Sequence, residues 1–213
     1  MKQVIFFDFD GTLVDTSERH YKVYRDILGF YGIPNTFTKE EFWRLKRDGK
    51  KTIDLLPNNV SKDTFQLEWI KRIENRDYLR FDEVFNGCFE VLTQLKELGH
   101  KIILVTLRQR KDNLFWELNR LGLNEYFDDI MVESPLYLKT KAILIQKCLK
   151  VLTPHNSIIV GDSEIDILTG KQLGMVTVAS TYGIRSHKFL KKYNPKFYLD
   201  TLDELPKIIS KIW

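Results

Sequence analysis

Apolar positions along the chain follow two periods. Residues 4–7, 102–105, about 128–132, 158–160 and 176–179 are short runs in which nearly every side chain is apolar. Such runs read as strands buried on both faces. Between them, apolar residues recur every three or four positions, as in Cys88 to Leu98 and Asn113 to Leu121, which predicts amphipathic helices. Leu98-Gly99-His100, Leu121-Gly122-Leu123 and Leu173-Gly174 place glycine where a helix C-cap prefers it. A short last strand at Phe197-Tyr198-Leu199 and a helix from Asp203 complete the series. The alternation predicts an α/β fold, a doubly wound parallel sheet with helices on both faces.

Residues 16 to about 81 break that alternation, because no buried strand occurs there. Glu18 to Phe30, Lys39 to Lys46, Thr52 to Leu56 and Lys62 to Leu79 are helical patterns instead. Tyr21, Tyr24, Ile27 and Leu28 form a stripe that packing against other helices would bury. The expected division is a core of residues 1–15 and 82–213 with an all-helical insert at 16–81. Phe81 to Phe85 reads as the return linker, and Asn86-Gly87 opens the next core helix.

Composition narrows the class. An apolar fraction of 43% over 213 residues supports a real core. A net charge of +4 and a pI near 8.9 fall short of a nucleic-acid-binding signature, so no nucleic-acid partner is expected. Arg185, Lys188, Lys191, Lys192 and Lys196 hold part of the excess. The bland reading is a solvated helix face; a local basic patch would also draw in an anionic substrate. Cys88 and Cys148, the two cysteines, sit among apolar helical positions and read as buried thiols in a reducing compartment. The first strand starts by residue 3, which leaves no signal peptide ahead of it. No apolar run reaches the ~20 residues that a bilayer requires. The expectation is a soluble, cytoplasmic protein with no membrane partner.

Chemistry-bearing residues gather where strands end. The first strand runs into Asp8-Phe9-Asp10-Gly11-Thr12, two carboxylates at i and i+2, which on an extended backbone share one side. Taken alone, Asp10-Gly11 is equally a hairpin turn. Further on, Lys101 to Thr106 ends in a hydroxyl, Lys139 opens an amphipathic helix, and Ser157 to Val160 runs into Gly161-Asp162, with Asp166 four residues on. Ligands of open α/β sheets bind outside the carboxyl ends of the strands, which is where these groups converge.

In this order the residues resemble the four motifs of the haloacid dehalogenase-like phosphohydrolase superfamily, over essentially the whole chain. Asp8 to Thr12 looks like the first motif, Thr106 the second, Lys139 the third, and Gly161-Asp162 through Asp166 the fourth. The resemblance implies a Rossmann-like doubly wound core with an inserted helical cap domain, and a Mg²⁺-dependent phosphomonoesterase acting on a small phosphorylated metabolite. Asp8 would be the nucleophile that forms an aspartyl-phosphate. Asp10 would act as general acid and base, its pKa raised by the neighbouring carboxylate, with its backbone carbonyl on the metal. Asp8, Asp162 and that carbonyl make a hard oxygen set suited to Mg²⁺, and Asp166 would bind through water or orient it. Glu164 lies on another helix face and reads as surface. Thr106 and the backbone N–H groups of Leu107, Asp10 and Gly11 would hold the phosphoryl oxygens, although Thr106 is also a plausible helix N-cap. Leu107 departs from the small polar residue that many relatives place there.

Lys139 and Lys141 both precede the helix. Five and six residues beyond Lys139 stand the apolar Leu144 and Ile145, against Gln146 and Lys147 for Lys141, which favours Lys139. The lysine would neutralise charge shared by Asp8 and the phosphoryl group. Substrate choice would fall to the insert. Arg47 and Lys50, in the basic turn Lys46 to Lys51, would hold a second anionic group, and His20 occupies a position that carries histidine in β-phosphoglucomutase. Each also has a bland reading, a solvated turn or a structural histidine. A sugar phosphomutase is the alternative enzyme, and the Gly161-Asp162 form of the fourth motif argues against it. A phospho-receiver module is disfavoured because its acidic pair is adjacent and it lacks a helical insert. Asp10 disfavours a haloacid dehalogenase, since a halide leaving group needs no acid.

Overall fold

The computed structural model describes residues 3–137, 140–149 and 156–212, the side chains of 147–149 excepted. Six strands form one parallel sheet: β1 (Val4–Phe7), β4 (Lys101–Leu107), β5 (Asp129–Glu133), β6 (Ser157–Gly161), β7 (Val176–Ser180) and β8 (Phe197–Leu199). Their order is β5-β4-β1-β6-β7-β8. β1 is central, with Phe7 opposite Leu104 on one side and Val160 on the other. The chain builds outward from β1 in one direction, then returns to build in the other. Its carboxyl end therefore lies at the switch point where open sheets bind ligands.

The two-residue period of β1 feeds two cores. Ile5 and Phe7 pack with Ile102, Leu104, Ile158 and Val160, beneath α5 (Cys88–Glu97), α6 (Lys111–Arg120) and the last helix (Leu205–Ile212). Val4 and Phe6 pack on the opposite face with Ile103, Val105, Ala142, Leu144 and Ile145, the last three from α7 (Ala142–Leu149). Every one of these strand residues is at least 98% buried. That explains why the strands read as continuous apolar runs rather than alternating ones. Cys88 is buried, and burial pushes its thiol up to about 12. The side chain of Cys148 lies outside the described ones.

The helical insert packs a core of its own. Val23, Tyr24, Ile27 and Leu28 of α1 (Ser17–Phe30) meet Phe42 of α2 (Lys39–Arg47) and Phe65 of α3 (Lys62–Arg72). The fully buried Tyr24 hydroxyl donates to the Leu55 carbonyl at 2.8 Å. The single long helix expected over Lys62 to Leu79 is instead α3 and α4 (Arg76–Leu79). Asn75 turns extended between them, and its side chain accepts from the Asp77 N–H, as an N-cap does. A second departure is the antiparallel ribbon of β2 (Val14–Asp15) with β3 (Glu83–Val84), where the chain leaves and re-enters the sheet layer. Two residues per strand are too few to leave a periodic signal. Among the described residues, no helix is long and apolar enough to cross a membrane.

Candidate active site

Asp8 follows β1 directly, and its N–H donates to the Val160 carbonyl at 2.9 Å, prolonging the ladder by one residue. Its parity is that of Val4 and Phe6, so it belongs to the face covered by α7. Lys141 stands immediately ahead of α7. Its Nζ lies 2.6 Å from Asp8 Oδ1 and 2.7 Å from Asp166 Oδ1. Asp162, after β6, and Asp166, in α8 (Glu164–Gln172), complete the group. One oxygen each from Asp8, Asp162 and Asp166 lie within 4.8 Å of one another, and all three residues are buried. Asp166 Oδ2 accepts from the Ser163 hydroxyl at 2.6 Å and from its N–H at 3.2 Å, closing a capping box on α8. Both Asp166 oxygens are thus engaged, and it orients Lys141 while capping its own helix.

Glycines make the crowding possible. A Cβ on Gly161 would overlap the Asp166 carboxyl group, and one on Gly11 would overlap that of Asp162. Gly11 also has φ +76°, a conformation that an L side chain resists. The Gly11 N–H, expected to face a phosphoryl oxygen, donates to the Val14 carbonyl at 2.8 Å instead. The turn that places Asp10 consumes that donor.

Three buried carboxylates share one lysine. Burial pushes the Asp8 carboxyl up to about 7, with Lys141 pulling the other way and Asp166 adding to the rise. Burial and the nearby Asp8 and Asp166 hold Asp162 well above the usual carboxylate range. Lys141 is disfavoured as a cation by burial, but Asp166 and Asp8 outweigh that and raise its pKa. A cluster of hard oxygen donors short of positive charge fits a divalent cation of the Mg²⁺ kind, held by Asp8 and Asp162.

Asp10 behaves differently from the expectation. Its carboxylate is held by Arg108, with Nε at 2.6 Å and Nη2 at 2.7 Å, and by Arg19 Nη2. Burial pushes its pKa up, yet Arg108 and Arg19 outweigh burial and hold it below the usual carboxylate range. The anticipated rise from the neighbouring Asp8 is therefore reversed by two guanidinium groups. Arg108 Nη2 also reaches Glu117 Oε2 at 3.0 Å, and Arg19 Nε lies 3.2 Å from Asp82 Oδ2. Glu117 and Asp82 are fully buried, and burial raises Asp82 to about 9 against the pull of Arg19.

A cavity of about 290 Å³ opens on these groups, lined by Asp8, Asp10, Arg19, Arg108, Lys141 and Asp162 among others. Thr106, 1% exposed at the end of β4, and Leu107 line it as well. His20 also lines it, set edge-on to Trp43 and Trp69 at 5.8 and 5.5 Å between ring centroids. Burial, reinforced by Lys46, pushes the His20 imidazole well below its usual pKa, so it is neutral. Lys139 lies outside the described residues. Lys141 occupies the place expected for Lys139, because Leu144 and Ile145 sit three and four residues beyond it on the buried face of α7. Arg47 and Lys50 are not brought to the cavity. Arg47 donates to the Thr181 carbonyl, its own carbonyl accepts from the Ser186 N–H at 2.9 Å, and Lys50 is exposed. Glu164 pairs with Arg185 at 2.9 Å.

Arg19, Arg108 and Glu74 were not singled out from the sequence. Two of these left a trace there. Arg19 stands four residues before Val23 and eight before Ile27, on the apolar stripe of α1, and all three are buried. Arg108 lies two residues past Thr106, at a strand exit. Glu74 joins the insert to the sheet layer: its carboxylate accepts from the Gln109 and Arg110 N–H groups at 3.0 and 2.7 Å.

Comparisons with known proteins agree with this geometry. Pyrophosphatase PpaX of Bacillus mycoides is 26% identical over 212 residues, covering 98% of this chain and 97% of that protein. The structure of a haloacid dehalogenase-like hydrolase from Streptococcus pneumoniae superposes with a TM-score of 0.79 at 23% identity, covering 98% of each chain. One from Clostridium acetobutylicum, described as a predicted phosphatase, gives 0.78 at 25% identity over 99% of each chain. Residues 5–180, from the strand that carries Asp8 to the end of β7, match the model of the haloacid dehalogenase-like hydrolases. The protein is an enzyme of that family.

Proposed function

We propose that the protein is a cytoplasmic, Mg²⁺-dependent phosphomonoester hydrolase that acts on a small phosphorylated metabolite through a phosphorylated Asp8. The observation that carries this reading is the Asp8–Lys141–Asp166 bridge beside Asp162, at the carboxyl end of the central strand. Asp8 attacks phosphorus, the ester oxygen leaves, and water then cleaves the acyl phosphate. Lys141 neutralises charge on Asp8 and the transferring group, a role assigned to it here rather than to Lys139. Thr106 and the Leu107 N–H hold phosphoryl oxygens at the exit of β4. Asp10 protonates the leaving oxygen and later activates water, which requires it to leave the grip of Arg108 and Arg19. Mg²⁺ bound to Asp8, Asp162 and the Asp10 carbonyl would supply the charge that lets a dianion approach a carboxylate. The helical insert, residues 16–81, acts as the cap over the cavity.

The cavity volume sits at the lower end of the roughly 300–1,000 Å³ of small-molecule sites, which suits a small substrate. The pyrophosphatase name of the relatives is in keeping with that. The test is release of phosphate from a panel of phosphomonoesters and pyrophosphate, with Mg²⁺ and with EDTA. Activity that needs Mg²⁺ and disappears in Asp8→Asn supports the reading. Full activity in excess chelator, or in the folded variant, overturns it. His20 beside the cavity keeps the phosphomutase alternative in play, and interconversion of hexose 1- and 6-phosphates in the same panel would favour it.

A further inference from the structure

The insert meets the sheet layer in several places. One is a ring of buried charges, in which Arg108 joins Asp10 to Glu117 and Arg19 joins Asp10 to Asp82. Another is the turn Lys46 to Gly49, which docks on the segment that follows β7. The Arg47 side chain donates to the Thr181 carbonyl, at the start of that segment. At its end, the Ser186 N–H donates to the Arg47 carbonyl at 2.9 Å. Arg185 adds a third bond, from Nη1 to the Lys46 carbonyl at 2.7 Å. Gly49 lets the turn come this close: its φ is +99°, and a Cβ there would overlap the Phe189 ring.

The same segment touches the acidic cluster. The Ile184 N–H donates to Asp162 Oδ2, and Ile184 lines the cavity. A Cβ on Gly183 would stand 2.3 Å from Asp162 Oδ2 and 2.1 Å from the Gly11 carbonyl oxygen, so the backbone itself packs on both. Residues 181–186 belong to no strand or helix. With no ladder of its own, the segment places the Ile184 N–H where its anchors put it. On the sheet side, the Thr181 N–H donates to the Leu199 carbonyl and the Tyr182 hydroxyl to the Thr12 carbonyl, both at 2.9 Å. On the insert side the anchor is the turn Lys46 to Gly49. Arg185, 13% exposed, spans the parts. While Nη1 holds the insert, Nε and Nη2 grip the Glu164 carboxylate at 2.9 and 3.1 Å, two residues past Asp162 at the start of α8.

We propose that Arg185 is a positioning residue for the divalent cation: it docks the insert on residues 181–186, and that docking keeps the Ile184 N–H on Asp162. The inference rests on the reading of Asp162 as a metal ligand. A hydrogen bond to a ligating carboxylate fixes which way its oxygens point, and its loss weakens metal binding. The cation therefore binds more tightly when the insert is docked. Reciprocity requires that the bound cation tighten the docking by the same factor.

The experiment measures Mg²⁺ binding without substrate, by titration calorimetry, in the native protein, Arg185→Ala, Arg185→Lys and Arg47→Ala. Exchange of the Ser186 amide, which bonds to the insert, is followed by NMR with and without Mg²⁺. Arg185→Ala should weaken Mg²⁺ binding by roughly tenfold, and Arg185→Lys should recover part of the loss. Arg47→Ala cuts the insert's own side-chain bond to the segment without touching Glu164, and should weaken Mg²⁺ binding as well. Mg²⁺ should slow the Ser186 amide in the native protein. Native affinity in Arg185→Ala overturns the proposal. So does native affinity in Arg47→Ala, which would mean that Arg185 acts through Glu164 and not through the insert. A Ser186 amide indifferent to Mg²⁺ overturns it too. If Arg185→Ala does not fold, Arg47→Ala and the exchange measurement decide. If the native protein binds no Mg²⁺, the metal reading itself falls.

Discussion

Replacing Asp8 with asparagine should make the metal-free protein more stable at alkaline pH while removing its activity. In the folded protein the Asp8 carboxyl titrates at about 7, against 3.8 for an unperturbed aspartate. Between those values the folded state holds a proton that the unfolded state has lost. Stability therefore falls as pH rises through this window, and the loss is complete above about 7. A shift of about 3 pKa units corresponds to at most about 4 kcal/mol. Asparagine avoids that penalty, but not all of it is recovered. Asp162 is held back partly by Asp8, so it ionises more readily in the variant and reinstates some repulsion with Asp166. A net gain of roughly 2 kcal/mol is expected, or about 4–8 °C in Tm for a chain of this size. Thermal unfolding in EDTA at pH 8 and pH 4 reads it: the gain should be present at pH 8 and absent at pH 4. Adding Mg²⁺ should raise the Tm of the native protein more than that of the variant, which has lost a ligand. A variant less stable than the native protein at pH 8 in EDTA would refute the argument that the acidic cluster is under-compensated.

Lys141→Ala should destabilise by about 3–5 kcal/mol, because Asp8 and Asp166 lose their buried counter-charge, and should abolish turnover. Lys139→Ala should keep turnover at the native level, and equal defects in denaturation and phosphatase assays would reverse the assignment. Arg47→Ala removes the bond to the Thr181 carbonyl that ties the insert to the sheet layer. It should raise KM by about tenfold for p-nitrophenyl phosphate and for acidic substrates alike; a change confined to acidic substrates would return Arg47 to the role of an anion receptor. Burial raises Asp82 from 3.8 to about 9, so between those values the folded state keeps a proton that the unfolded state has lost, and stability falls as pH rises through that window. Asp82→Asn should match the native protein near pH 4 and be more stable than it at pH 7 and pH 9, which urea titration at those three values would show; a variant with no gain at pH 9 would refute it.

The legible part of this molecule is what repeats or what ends a repeat. Apolar runs marked all six sheet strands to within about two residues, and glycine marked the helix ends, because burial and backbone freedom act on each segment by itself. Asp8, Asp162 and Thr106 were legible for the same reason: each follows or ends a buried strand, where the sheet stops and polar groups begin. What stayed hidden depends on two segments meeting. Lys139 was preferred to Lys141 by counting along one helix, whereas the side chain that reaches Asp8 is fixed by which turn of α7 faces the sheet. Arg47 looked like a receptor until the turn that bears it met the Thr181 carbonyl.

The charge ring had a weak trace that a different question would have found. Arg19 falls on the apolar stripe of α1, with Val23 and Ile27, and Glu117 sits with Leu114 and Leu118 on the buried face of α6. A charged residue at a core position is costly unless a partner meets it. Two such residues of opposite sign, on helices about a hundred positions apart, therefore imply groups that pair with them between the helices. In this fold those groups are Asp10 and Arg108. The ring forms only when the insert and the sheet layer are together, since Arg19 comes from one and Arg108 and Glu117 from the other. The residue proposed to handle the leaving-group proton is thus held by both layers. Anything that draws Arg108 or Arg19 away from Asp10 also acts on how the two layers fit.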